Sequence, residues 1–96
     1  MQIYFERSGG FTGLRLQSAV DTAELPVDEE EAWKEALKEA EFFNLSSDLP
    51  EASKADSFVY KLTVVTAERE HTALCTDETM PEELRPMLRQ LTIMAR

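Results

Sequence analysis

The chain has 96 residues, which is enough for one domain with a modest core and too few for two. Its 19 acidic and 10 basic residues give a formal net charge of -9, and 43% of the residues are hydrophobic. Nucleic acids and anionic membrane surfaces require clustered Lys and Arg, whereas the basic residues are scattered along this sequence, so both kinds of partner are disfavoured.

The first predicted element is a β-hairpin. Apolar and polar residues alternate over positions 2–7 and again over 14–20, which is the period of a half-buried strand. The hexapeptide Arg7-Ser8-Gly9-Gly10-Phe11-Thr12 lies between them. Because adjacent glycines reach positive φ without a steric clash, Ser8-Gly9-Gly10 suits a tight turn, and Gly13 leaves a bulge or a wider loop as the alternative.

A polar stretch over 21–26 then leads into a helix predicted over 27–43. The first turn carries a run of acidic residues, 28–31, and Lys34 and Lys38 come later, an order that complements the helix dipole. The apolar residues recur at spacings of three and four and form one stripe that can pack on a sheet, namely Trp33, Ala36, Leu37, Ala40 and either Phe42 or Phe43.

Residues 44–57 are rich in Ser, Asp, Pro and Ala and are predicted to form an irregular connection. A strand follows over 58–66, and because both of its faces are apolar we expect it inside the sheet. A short turn at Ala67-Glu68 and a partner strand over 69–76 complete a second hairpin.

The last predicted element is an amphipathic helix. Thr79 and Glu82 have the spacing of a capping box, and Pro86 is expected to kink the helix or delay its start. Its apolar stripe consists of Leu84, Met87, Leu88, Leu91 and either Met94 or Ala95. The element order is therefore ββαββα. It predicts a single α+β domain over 1–96, with a four-stranded antiparallel sheet and both helices on one face; pairing of the first strand with the third or the fourth stays open.

No constellation in the sequence points to an enzyme. The single His71 and the single Cys75 lie on one predicted strand about 13 Å apart, too far for a base to deprotonate a thiol. There is no zinc or calcium motif, and successive residues of the acidic run 28–31 point in different directions on a helix. The glycine pair leads into a strand and not into a phosphate-binding helix. We therefore expect no catalytic residues, no bound metal and no cofactor.

The chain shows no targeting or membrane signal. No apolar stretch approaches the roughly 20 residues of a spanning helix, and the N-terminus lacks a basic start followed by a hydrophobic run. A single cysteine cannot form an internal disulfide, which agrees with a reducing compartment. We expect a cytoplasmic protein.

As a whole, the sequence resembles the emfourin family, small bacterial inhibitors of thermolysin-like metalloproteases such as protealysin. The likeness is carried in order by Arg7 to Phe11, Asp21 to Pro26, Ala40 to Leu45, Phe58 to Val64, His71-Thr72 and Met80 to Leu88. The resemblance implies an intracellular inhibitor that binds a zinc metalloprotease and obstructs substrate access, the zinc belonging to the protease. We also expect a monomer without enzymatic activity.

The predicted protease contact is the hexapeptide Arg7, Ser8, Gly9, Gly10, Phe11 and Thr12. Phe11 beside a glycine pair is suited to an apolar subsite, while Arg7 meets acidic groups at its rim. The alternative is that the glycines serve only the turn and Phe11 covers the core. Two other candidate surfaces are the connection over 46–57 and the edge of the first strand. The alternative function is a general protein-interaction module without inhibitory activity.

Overall fold

A computed structural model describes residues 1–9, 15–48 and 58–96. Within these ranges the strands are β1 (Gln2–Gly9), β2 (Leu16–Asp21), β3 (Phe58–Val65) and β4 (Glu70–Thr76), and the helices are α1 (Val27–Glu39) and α2 (Arg85–Met94). Short 3-10 turns lie at Thr22–Glu24, Phe42–Asn44 and Glu82–Leu84. The predicted order ββαββα is confirmed. Neither described helix is long and apolar enough to cross a membrane.

The four strands form one antiparallel sheet in the order β2-β1-β3-β4. The first strand therefore pairs with the third, which the alternation of residues left open. Because β1 also pairs with β2, it is an interior strand, and the candidate surface at its edge is wrong. Phe5 lies at the centre of this arrangement, opposite Ser18 of β2 and Leu62 of β3. The interior position predicted for β3 is confirmed, since β1 and β4 flank it.

Both helices cover the same face of the sheet and share one core with it. Ile3 of β1, Val64 of β3 and Leu91 of α2 are completely buried. They belong to a single cluster with Trp33 and Leu37 of α1. Because side chains alternate between the two faces of a strand, the other face of the sheet carries exposed residues such as Tyr4. The predicted packing of both helices on one face is confirmed.

The tight turn predicted at Ser8-Gly9-Gly10 is wrong. Ser8 and Gly9 continue β1 and pair with Val59 and Phe58 of β3, whereas the last pair between β1 and β2 joins Arg7 to Leu16. Ser8 and Gly9 therefore lie beyond the pairing of β1 with β2, and Gly13, which suggested the wider-loop alternative, lies outside the described residues. Gly9 has a φ of 95°, a value that glycine reaches without strain. Gly10, Phe11 and Thr12 lie outside the described residues.

Helix α1 ends earlier than its apolar stripe predicts. It stops at Glu39, Glu41 adopts a left-handed conformation with φ 51°, and a 3-10 turn follows. This reversal directs Phe42 into the core, where it is 1% exposed, and leaves Phe43 half-buried. The chain then runs beside β4, where the Leu74 amide donates to the Ser46 carbonyl at 3.1 Å. Residues 49–57 of the candidate connecting surface lie outside the described ranges.

The capping box predicted at Thr79 and Glu82 does not form. The Thr79 hydroxyl accepts a hydrogen bond from the Thr76 amide at 2.9 Å, at the end of β4. Helix α2 begins at Arg85 after the third 3-10 turn, with Pro86 in its first turn, so the delayed start is confirmed. At its end Ala95 packs against the core, whereas Met94 is 47% exposed.

Candidate functional site

Three of the six predicted contact residues lie in the described part of the chain, at the end of β1. Arg7, Ser8 and Gly9 are half-buried and lie at the end of the sheet where β1 stops and β3 begins. The structure brings Arg7 beside α2 and the segment after β4. The contact role of the hexapeptide stays a prediction.

Arg7 occupies an inward-facing position, because it continues the alternation of the buried residues Ile3 and Phe5. Its guanidinium carbon lies 4.1 Å from the centre of the Phe58 ring, a cation–π distance. The Arg7 Nε is buried and has no hydrogen-bond partner within the described ranges. A buried donor without a partner costs about 1–3 kcal/mol. Stacking on Phe58 therefore holds the Arg7 guanidinium in a position where its Nε–H donates no hydrogen bond to the described residues.

Arg7 forms one side of a cleft of about 410 Å³ between the end of the sheet and α2. We call it the arginine cleft. Four basic side chains line it, namely Arg7, Arg85, Arg89 and Arg96, together with Tyr60, Met80 and Leu88, which are buried. Arg85 and Arg89 are four residues apart on α2 and therefore project from the same side of the helix.

Among the described residues that line the arginine cleft, one has a carboxylate side chain, namely Asp77. This carboxylate accepts a hydrogen bond from the Tyr60 hydroxyl at 2.9 Å. Burial raises the pKa of Tyr60, and Asp77 adds to this increase while Arg7 opposes it. The tyrosine is thus held protonated and directed at Asp77.

Arg85 is fixed by two hydrogen bonds. Its Nη2 donates to the Asp77 backbone carbonyl at 2.7 Å, and its Nε donates to Glu82 at 2.9 Å. Arg89 and Arg96, by contrast, make no ion pair with any carboxylate in the described parts of the chain. As far as the chain is described, the cleft therefore has a positive lining in which two guanidinium groups form no ion pair.

His71 and Cys75 lie on β4, as predicted, and both have structural surroundings. The His71 Nε2 donates to the Leu45 carbonyl at 2.7 Å, and the ring contacts Phe42 edge to face. Burial raises the pKa of the Cys75 thiol to about 11. The described residues contain no cluster of three or more His, Cys, Asp or Glu that could hold a metal ion.

The fold gathers basic residues that are far apart in the sequence. Arg7 and Arg85 are separated by most of the chain, so the scattered spacing gives no sign of the arginine cleft. One feature of the sequence does point to the cleft. Arg85, Arg89 and Arg96 are closely spaced in an otherwise acidic chain, and this spacing puts at least two of them on one side of a helix.

In a comparison with known families, a family model described as Emfourin matches residues 5–92. The matched range includes β1 from Phe5 onward, the whole of β2, β3 and β4, both hairpins and nearly all of α2. Neither the curated proteins nor the solved structures contain a significant match to the chain.

Proposed function

The chain belongs to the Emfourin family, which is an inhibitor family, and from this premise we propose that it inhibits a thermolysin-like zinc metalloprotease by binding it and blocking substrate access. The observation that carries the proposal is the family match over residues 5–92, nearly the whole chain. The positions of His71 and Cys75 support action by contact, because His71 packs against buried Phe42 and Cys75 packs against the core. We propose that it acts as a cytoplasmic monomer.

We place the protease contact at the end of β1, from Arg7 to Thr12. Ser8 and Gly9 lie at the end of β1, beyond its last pair with β2, and support this placement. Phe11 enters an apolar subsite of the protease in this proposal, because a large aromatic side chain contributes most when it is fully enclosed by a partner. The inhibitor then blocks the substrate groove sterically and needs no catalytic group of its own.

The test of the function is a titration. The purified protein is added to a thermolysin-like metalloprotease from the same source, with zinc in excess, and cleavage of a small peptide substrate is followed. We expect activity to fall to zero near a one-to-one ratio. Full activity at a large excess of this protein would contradict inhibition and favour the general interaction module.

The test of the contact surface compares two aromatic residues. We expect Phe11→Ala to raise the inhibition constant at least about ten-fold, the usual range for an interface anchor. Tyr4→Ala is the matched control, because Tyr4 is 48% exposed on the open face of the sheet. Gly10→Pro, which restricts the backbone, should also weaken inhibition. If both Phe11→Ala and Gly10→Pro inhibit like the unchanged protein while their circular dichroism is native, the proposed surface is wrong although the function is right.

A further inference from the structure

The charge of the arginine cleft is opposite to that of the molecule. The protein has a formal net charge of -9, yet four of its ten basic residues line this one cleft, where the described part of the chain contributes one carboxylate side chain. In so acidic a chain, we expect arginines without a binding role to form ion pairs with Asp or Glu. Arg89 and Arg96 have no such ion pair among residues 1–9, 15–48 and 58–96.

The arginine cleft is also partly organised before any ligand binds. Arg7 is held against Phe58, with a buried Nε that has no partner among the described residues. Arg85 is held by Asp77 and Glu82, while Arg89 projects from the regular part of α2. Buried Met80 and Leu88 line the cleft and reduce its contact with water, which strengthens charge-assisted hydrogen bonds.

We propose that the arginine cleft binds one carboxylate side chain, Asp or Glu, presented by the surface of the inhibited protease. A guanidinium group matches the two oxygens of a carboxylate in a bidentate arrangement, and both Arg7 and Arg89 line the cleft. The inference rests on the proposed function for the identity of the partner. A polyanion does not fit, because its other charges would be repelled by the acidic remainder of this protein.

The first test measures inhibition of the metalloprotease by Arg89→Gln, Arg89→Lys and Arg69→Gln. Arg69 is the matched control, because it lies over Phe43 at the other end of β4. Arg89→Gln is expected to raise the inhibition constant about ten-fold, the effect of losing one hydrogen bond to a charged group. Arg89→Lys, which keeps the charge but not the planar fork, should recover part of this loss. Equal inhibition by Arg89→Gln and Arg69→Gln would overturn the inference.

The second test needs no protease. The arginine Nε–H signals of the ¹⁵N-labelled protein are followed by NMR during titration with N-acetylglutamate α-amide, its glutamine counterpart and inorganic phosphate. We expect the glutamate compound to shift the Arg7 and Arg89 signals but not that of Arg69, and the glutamine compound to shift none. Identical responses to both compounds, or phosphate acting at a ten-fold lower concentration, would overturn a carboxylate site.

The two tests separate the possible failures. If the unchanged protein leaves the protease active but the glutamate compound shifts the arginine signals, the proposed function fails while the carboxylate site is supported. If the protein inhibits the protease and neither Arg89 variant differs from the control, the function is supported and the inference about the cleft is overturned.

Discussion

His71 and Cys75 lie on the same face of β4, and the neighbours of both side chains are structural. The His71 ring packs edge to face against Phe42 and donates a hydrogen bond to the backbone after α1, so it joins two elements of the fold. Cys75 is half-buried in the same layer. The sequence predicted their separation along the strand but could not reveal that Leu45, 26 residues before His71, supplies the acceptor.

At the residue scale, Cys75 is predicted to react slowly in the native protein. Burial raises the pKa of its thiol from 9.0 to about 11, so at pH 8 the reactive thiolate is about 100-fold less abundant than in an unfolded chain. Alkylation by iodoacetamide at pH 8, followed by mass spectrometry, should be slower by at least that factor than in urea. Equal rates in the two conditions would show that the thiol is exposed and ionised.

The same shift makes stability depend on pH in the alkaline range. Because the pKa of Cys75 is higher in the folded protein than in the unfolded chain, its contribution to stability is complete below pH 9 and is lost as the pH rises towards 11. Tyr60, whose pKa burial raises above 10.0, acts in the same direction. We expect the free energy of unfolding, measured with urea, to fall between pH 8 and 10.5 by less in Cys75→Ala than in the unchanged protein. Parallel curves for the two proteins would contradict this.

At the scale of elements, the helix ends were harder to predict than the helices themselves. The apolar stripe of α1 continues in the sequence to Phe43, and no glycine or proline marks the stop. The chain leaves the helix through the left-handed Glu41, which allows Phe42 to turn into the core. Burial of this aromatic ring thus outweighs the local preference for continuing the helix. Pro86, by contrast, predicts the delayed start of α2, because proline lacks the backbone N–H that a position inside a helix requires.

Glu41→Gly is predicted to stabilise the protein. A residue with a Cβ at φ 51° has a conformational cost that glycine avoids, so the free energy of unfolding should rise by about 0.5–1 kcal/mol. Glu39→Gly is the matched control: Glu39 is the last residue of α1, and glycine there should lower stability by up to about 1 kcal/mol. Urea unfolding of both variants measures the difference. A decrease for Glu41→Gly similar to that of Glu39→Gly would contradict the proposed cost at position 41.

At the scale of the whole molecule, the fold was more predictable than the candidate site. Alternation and helical periodicity act over neighbouring residues, and they gave the element order, the single buried face and the interior position of β3. The arginine cleft depends on the pairing of β1 with β3 and on the position of α2 across the covered face of the sheet. These long-range contacts bring Arg7 close to Arg85 and Arg89. Local patterns in the sequence do not reveal which distant residues come together.

The single core also predicts that the two ββα halves unfold together. Leu91 of α2 is completely buried and belongs to the same cluster as Trp33 of α1, the chain's single tryptophan. Leu91→Ala should lower the free energy of unfolding by about 2–5 kcal/mol, the range for a leucine truncated in a packed core. Ile93→Ala on the same helix is the control, because Ile93 is 59% exposed and should cost far less.

The measurement follows Trp33 fluorescence and far-ultraviolet circular dichroism in the same urea titration. Because one cluster joins both halves, the two signals should change at the same urea concentration in the unchanged protein and should shift together in Leu91→Ala. A variant in which the circular dichroism transition moves while the Trp33 transition stays in place would show that α1 and its hairpin are stable without α2. In that case the core would consist of two units, and the position of α2 beside Arg7 would not be fixed by the packing of the rest of the chain.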